Sequence, residues 1–259
     1  MVLTQFGRLR RRSGLSQRQV ALVAGVPSAV VSRFEAGLAE PRLGTLQQLY
    51  QAIGYDFEVQ SRPVADPAAS VAARWLLGDG STEGYQSSLW VGRLRRLCPG
   101  LQADKLCWLA SRYDNMRRRR DAVSGQVGTV VTVLDRAAAY PGRWAATGSM
   151  VAEMVAPGVG VAWLTFYADS PEQFAQTVGM VEPAGPSAAV PPGTPWPTNT
   201  ILIMPYTAAA RLGATTIPGG IPIVAPLQAA IDLYGGTSRM PDQAGRVLQK
   251  LGYEEVQDA

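Results

Sequence analysis

The chain has 259 residues, 47% of them hydrophobic and 17% charged, with a formal net charge of +4 and no histidine. That length and apolar content suit two folded domains with their own cores, and no apolar run reaches the roughly 18 residues that cross a bilayer, so a cytoplasmic protein is expected. Without histidine the commonest general base and the commonest transition-metal ligand are gone, which excludes Ser-His-Asp, Cys-His and His-ligated zinc chemistry.

Charge is unevenly spread. Residues 1–62 carry eight arginines against four acids, and residues 63–123 carry nine arginines and one lysine against six acids. Residues 124–259 reverse the balance, with five arginines and one lysine against ten acids. A basic front half and an acidic back half point to a nucleic-acid end and an end that does something else. Cys98 and Cys107 are read as reduced thiols in or near a core, because nothing in the chain has the spacing of a disulfide framework.

In chain order, the spacing predicts a helix over 3–13 and a second over 17–24, capped by Ser16 and closed by Gly25. Pro27 and Ser28 open a third helix over 29–36, ended by Gly37, and a fourth covers 45–53 with Gly54 behind it. Leu15, Val20, Leu22, Val26, Val31 and Phe34 are apolar where a small helical core needs them, and Ala21 and Gly25 are small where two helices meet. Residues 61–70 read as a Pro- and Ala-rich linker, and 71–121 as a helical connector. A helix over 128–139 precedes an alternating pattern: helix (GSMVAEMVA), strands (VAWLTFYA, NTILIMPY, GIPIVA), then helices (PLQAAIDLYGG and PDQAGRVLQKLGY), with a surface loop over 182–197. The expected fold class is α+β multidomain. A helix-turn-helix domain (1–60) and a linker and helical connector (61–123) precede a mixed α/β domain (124–259).

Two helices joined by a short turn, in GLSQRQVALVAGVPSAVVSRFEAG, are the sequence signature of a helix-turn-helix. The stretch over 3–57 resembles the Cro and phage-repressor class, the XRE family. The resemblance implies that Gln17 contacts phosphate and that Ser28, Ala29, Ser32 and Arg33 face base edges from the third helix. Arg33 is the strongest reader among them, since arginine pairs with guanine O6 and N7. Arg42 and the run Arg10, Arg11, Arg12 are assigned to phosphates, and Glu35 to a hydrogen bond within the fold. The implied partner is double-stranded DNA, a palindromic operator bound by a homodimer.

Arg93, Arg95 and Arg96 are either the basic outer face of an amphipathic helix or phosphate ligands. Arg117, Arg118, Arg119 and Arg120 are either the solvated face of a helix or, because four consecutive arginines repel one another unless anions are near, a second surface for phosphates or for an acidic partner protein.

In the back half, Gly148 and Ser149 stand at a small-residue turn into a helix followed by a strand, the order that opens the nucleotidyltransferase fold. There a Gly-Ser pair holds nucleotide phosphates and the next strand supplies two metal-binding carboxylates. No acid lies between Val155 and Ala168, and Asp169 beyond them is read as a loop or capping residue. No metal, cofactor or catalytic residue is therefore expected. WAATGSMVAEMVAP, ILIMPY and IVAPLQAAIDLYGGTSRMPDQAGRVL resemble the C-terminal domain of the AbiEi family of type IV antitoxins. That resemblance implies an autoregulating repressor whose neighbouring gene encodes a nucleotidyltransferase toxin. Two alternatives stand beside it. One is a ligand-responsive repressor with a nucleotide or metabolite cleft at Gly148 and Ser149. The other is an enzyme using Asp135, Asp169 or Asp232, although Asp232 in an apolar helix reads more simply as a buried structural carboxylate.

Overall fold

The computed structural model describes residues 2–59, 64–86, 88–116, 121–161, 163–181, 200–237 and 239–253. The chain divides into two compact units, Met1–Arg62 and Pro63–Ala259.

The first unit contains α1 (Val2–Arg12), α2 (Gln17–Ala24), α3 (Ser28–Glu35) and α4 (Leu43–Ala52). Ser16 starts α2 with a reciprocal cap: its Oγ accepts from the Gln19 amide at 3.2 Å while its own amide donates to Gln19 Oε1 at 2.8 Å. Gly25 ends α2 at φ +65°, a left-handed conformation that turns the chain in three residues into α3. The core is built from Phe6, Val20, Val31, Phe34, Leu49, Tyr50 and Ile53, with the Phe6 ring 5.3 Å from Phe34 and 5.2 Å from Tyr50. Leu15 and Val26 pack on this cluster as expected. Leu22 does not: it is 82% exposed, because position 22 falls on the side of α2 away from Val20, Ala21 and Ala24. Helices α3 and α4 begin one and two residues earlier than the sequence spacing suggests.

The second unit opens with α5 (Pro67–Leu76), a short 3-10 turn (Gly80–Thr82), α6 (Leu89–Leu97) and α7 (Ala103–Tyr113). Its sheet contains β1 (Val123–Gln126), β2 (Trp144–Thr147), β3 (Leu164–Ala168), β4 (Thr200–Pro205), β5 (Thr215–Ile217) and β6 (Ile221–Ile223). Between and after the strands run α8 (Val130–Ala137), α9 (Ser149–Val155), α10 (Pro171–Val178), α11 (Ala208–Arg211), α12 (Pro226–Tyr234) and α13 (Met240–Lys250). The strand order is β1-β4-β3-β2-β6-β5, mixed in direction: β3 is antiparallel to β2 and parallel to β4, and β2 is parallel to β6.

The expected division at residue 123 is not a boundary between compact units. Ala72, Trp90, Leu94 and Leu106 from α5 to α7 belong to the same buried cluster as Phe166, Ile203 and Ile231. Arg74, fully buried on α5, donates to the Ala209 and Leu212 carbonyls at 2.7 Å each and to Asp79 Oδ2 at 2.7 Å. These bonds tie the helical segment to the far end of the chain, so residues 67–113 are part of one domain rather than a connector. Strands β1, β2 and β5 and helices α10 and α11 add to the expected pattern. The predicted loop over 182–197 lies outside the described residues.

Candidate nucleic-acid interface

Helix α3 has one face in the core and one in solvent. Val31 and Phe34 are buried, while Ser28, Ala29, Ser32 and Arg33 are exposed. These four are the residues assigned to base edges, and the structure brings them onto one accessible surface. Ser32 Oγ donates to the Ala29 carbonyl at 3.2 Å, which keeps that hydroxyl close to the helix. Arg42, the N-cap of α4, is exposed, as are Arg11 and Arg12 at the end of α1.

Arg10 departs from its assignment. Its guanidinium donates through Nε and Nη2 to the Glu35 carboxylate, at 2.5 and 3.0 Å, and through Nη1 to the Leu15 carbonyl at 2.7 Å. Both side chains of the pair are only 11% exposed. Arg10 is therefore a clamp between α1, the α1–α2 junction and α3 rather than a phosphate ligand. Glu35 is structural, as expected, and it also accepts from Gln17 Nε2 at 2.7 Å. Gln17 at the start of α2 is thus oriented by the last residue of α3, a role the sequence did not signal. Burial pushes the Glu35 carboxyl up, but the hydrogen bonds from Arg10 and Gln17 and the charges of Arg10 and Arg11 outweigh it and hold the group below its ordinary value.

The second unit does not present the expected cleft at Gly148 and Ser149. Gly148 adopts φ +61° where β2 turns directly into α9, so glycine is required by the backbone. Ser149 is fully buried and its Oγ donates to Gln243 Oε1 at 2.7 Å, while Gln243 Nε2 donates to the Val159 and Gly160 carbonyls. That serine fastens α9 to α13 and offers nothing to a ligand. Asp169 lies in the loop just past β3, one of the two readings given to it, and Ser170 rather than Asp169 caps α10. Its carboxylate pairs instead with Arg143 Nε at 3.0 Å and accepts from the Arg143 amide at 3.1 Å. Asp232 is 1% exposed and accepts from Thr147 Oγ1 at 2.6 Å, Tyr167 OH at 2.9 Å and Gln228 Nε2 at 3.0 Å, joining α12 to β2 and β3. Asp135 is exposed on α8. The three carboxylates do not converge, and among the described residues no group of three or more His, Cys, Asp or Glu side chains could hold a metal. Arg117, Arg118, Arg119 and Arg120 lie outside the described residues.

The capped α2, the three-residue turn and the half-exposed α3 define a helix-turn-helix unit. A family model described as Helix-turn-helix matches residues 7–60. The first unit is that of a DNA-binding transcriptional regulator. No curated protein and no solved structure matches the chain. Among the described residues no helix is long and apolar enough to cross a membrane.

Proposed function

We propose that this protein is a cytoplasmic transcriptional repressor that binds a palindromic operator as a homodimer and reads its bases through α3. The observation that carries the reading is the exposed stripe Ser28, Ala29, Ser32 and Arg33 on a helix whose opposite side is fixed by Val31, Phe34 and the Glu35 pairings. Arg33 is the principal base reader, and Arg11, Arg12 and Arg42 supply phosphate contacts. Selection of bound duplexes from a random pool should return a two-fold symmetric site. Arg33→Ala should then lose about 1–3 kcal/mol at one base position of each half-site. Wild-type preference in Arg33→Ala would remove Arg33 from base readout.

Within this proposal the second unit is a non-catalytic antitoxin domain of the type IV kind, with a nucleotidyltransferase toxin encoded nearby. Support comes from β3, whose residues Leu164 to Ala168 include no carboxylate. It also comes from the commitment of Ser149, Asp169 and Asp232 to partners within the fold. Co-expression with the neighbouring toxin should restore growth, and should still do so with Arg33→Ala. Loss of rescue in Arg33→Ala would mean that rescue runs through DNA binding and that the antitoxin role is wrong.

A further inference from the structure

Helices α6 and α7 wall a cleft of about 310 Å³ lined by Trp90, Arg93, Arg96, Leu97 and Tyr113. Its floor is aromatic: the Trp90 and Tyr113 rings lie 4.6 Å apart, and the indole Nε1 donates to Asp66 Oδ2 at 2.6 Å. That bond fixes the indole from the inner side. Above it, the Arg93 guanidinium carbon sits 4.8 Å from the Trp90 ring centre. Arg93 and Arg96 are three residues apart on α6, so they project along one stripe of the helix. Both are exposed, and neither takes part in an ion pair or hydrogen bond among the described residues. Among the described residues no carboxylate lines the cleft, and α6 contains no acid.

A guanidinium held over an indole stays unneutralised and loses less side-chain freedom when it meets an anion. Arg93 held on the indole, with Arg96 beside it and no carboxylate partner for either among the described residues, offers two positive charges to phosphodiester oxygens. Trp90 is only 6% exposed, so it supports the arginine and has little face left for a base to stack upon. The cleft is therefore suited to the sugar-phosphate backbone and not to base readout.

We propose that this cleft is a second phosphate-binding site, through which the second unit grips duplex DNA already held by α3. The proposal rests on the reading that the first unit binds DNA. Duplex DNA is favoured over an acidic protein because the first unit is the DNA-binding one, and with both sites on one chain the second contact is intramolecular.

The test uses the full chain and a fluorescein-labelled duplex of mixed sequence, roughly 40 base pairs or about four helical turns, in a salt titration by anisotropy. Removing two phosphate contacts in Arg93→Gln/Arg96→Gln should flatten the slope of log K against log salt by about 1.8. The wild type's affinity advantage should accordingly shrink about twelvefold between roughly 50 and 200 mM salt. Arg93→Lys/Arg96→Lys should keep the wild-type slope, and a cooperative thermal transition near the wild-type midpoint shows that the variants fold. Parallel slopes for wild type and the glutamine variant overturn the proposal. If polyglutamate binds the wild type but not the glutamine variant while the DNA slopes stay parallel, the site belongs to an acidic polypeptide. Failure of the α3 reading is separable: Arg33→Ala would then retain wild-type sequence preference whatever the slopes do, and a wild type that binds no duplex overturns both.

Discussion

Glu35→Ala should uncouple the recognition helix from the rest of the first unit. The carboxylate accepts two bonds from Arg10 and one from Gln17, and both members of the ion pair are mostly buried. A hydrogen bond to a charged group contributes about 1.5–3 kcal/mol, and such bonds to one acceptor do not add fully. Truncation also leaves the Arg10 guanidinium with the Leu15 carbonyl as its remaining partner. An expected loss of about 3 kcal/mol follows. For a domain of about 60 residues that is a large part of the whole, and it lowers Tm by about 12–24 °C. The two units can be followed separately, because all six tryptophans lie beyond residue 62. Circular dichroism at a helical wavelength should show the first unit melting early while the tryptophan fluorescence transition stays in place. The pH dependence has a definite sign: a carboxyl held below its ordinary value contributes stability that is complete above about pH 4.3 and is lost as pH falls through the folded-state value. Glu35→Gln should remove that acid sensitivity. If the tryptophan transition moves as far as the helical one, or if neither moves, the clamp assigned to Glu35 is wrong.

Other outcomes follow from the same contacts. Ser16→Ala should cost about 1 kcal/mol by loss of the α2 cap, read as an earlier helical transition with no change in tryptophan emission. Asp232→Ala should destabilise the second unit by about 3 kcal/mol or more, since Thr147, Tyr167 and Gln228 would be left around an unfilled buried site; here the tryptophan transition moves and the first unit's does not. Burial pushes the Cys107 thiol far up, helped by the charge of Asp104, so neither it nor the buried Cys98 should react with a thiol reagent until the second unit unfolds. Rapid labelling in the folded protein would contradict their burial.

The first unit was legible because each of its signals is local. A cap at Ser16, a left-handed glycine at Gly25 and apolar residues at helical spacing fix α2 and α3 within a residue or so. What stayed hidden is the partner of each charged group. Arg10 looks like its neighbours Arg11 and Arg12 in a basic run, and only folding brings Glu35, 25 residues away, to its guanidinium. The same limit explains the second unit. Trp144 to Thr147 is too short and too rich in alanine to announce a strand, yet it becomes a central one through pairing with β3 and β6. Helices α5 and α7 have the spacing of any amphipathic helices, and nothing in it says that their apolar faces meet α12.

Polar groups in the second unit fall into two sets with different fates. The buried ones are committed to architecture: Arg74 to two carbonyls and Asp79, Ser149 to Gln243, Asp232 to Thr147 and Tyr167. Leaving any of them unpaired in the core would cost more than the bond itself contributes, so their chemistry is fixed by the fold. The outward set on α6 is cationic, and Arg93 and Arg95 rest on Trp90 and Trp75 rather than on carboxylates. An indole face holds a guanidinium in place without neutralising it, whereas a carboxylate would do both. Those helices thus keep a positive surface that a salt-bridged surface would have cancelled, and its natural counterpart is a polyanion.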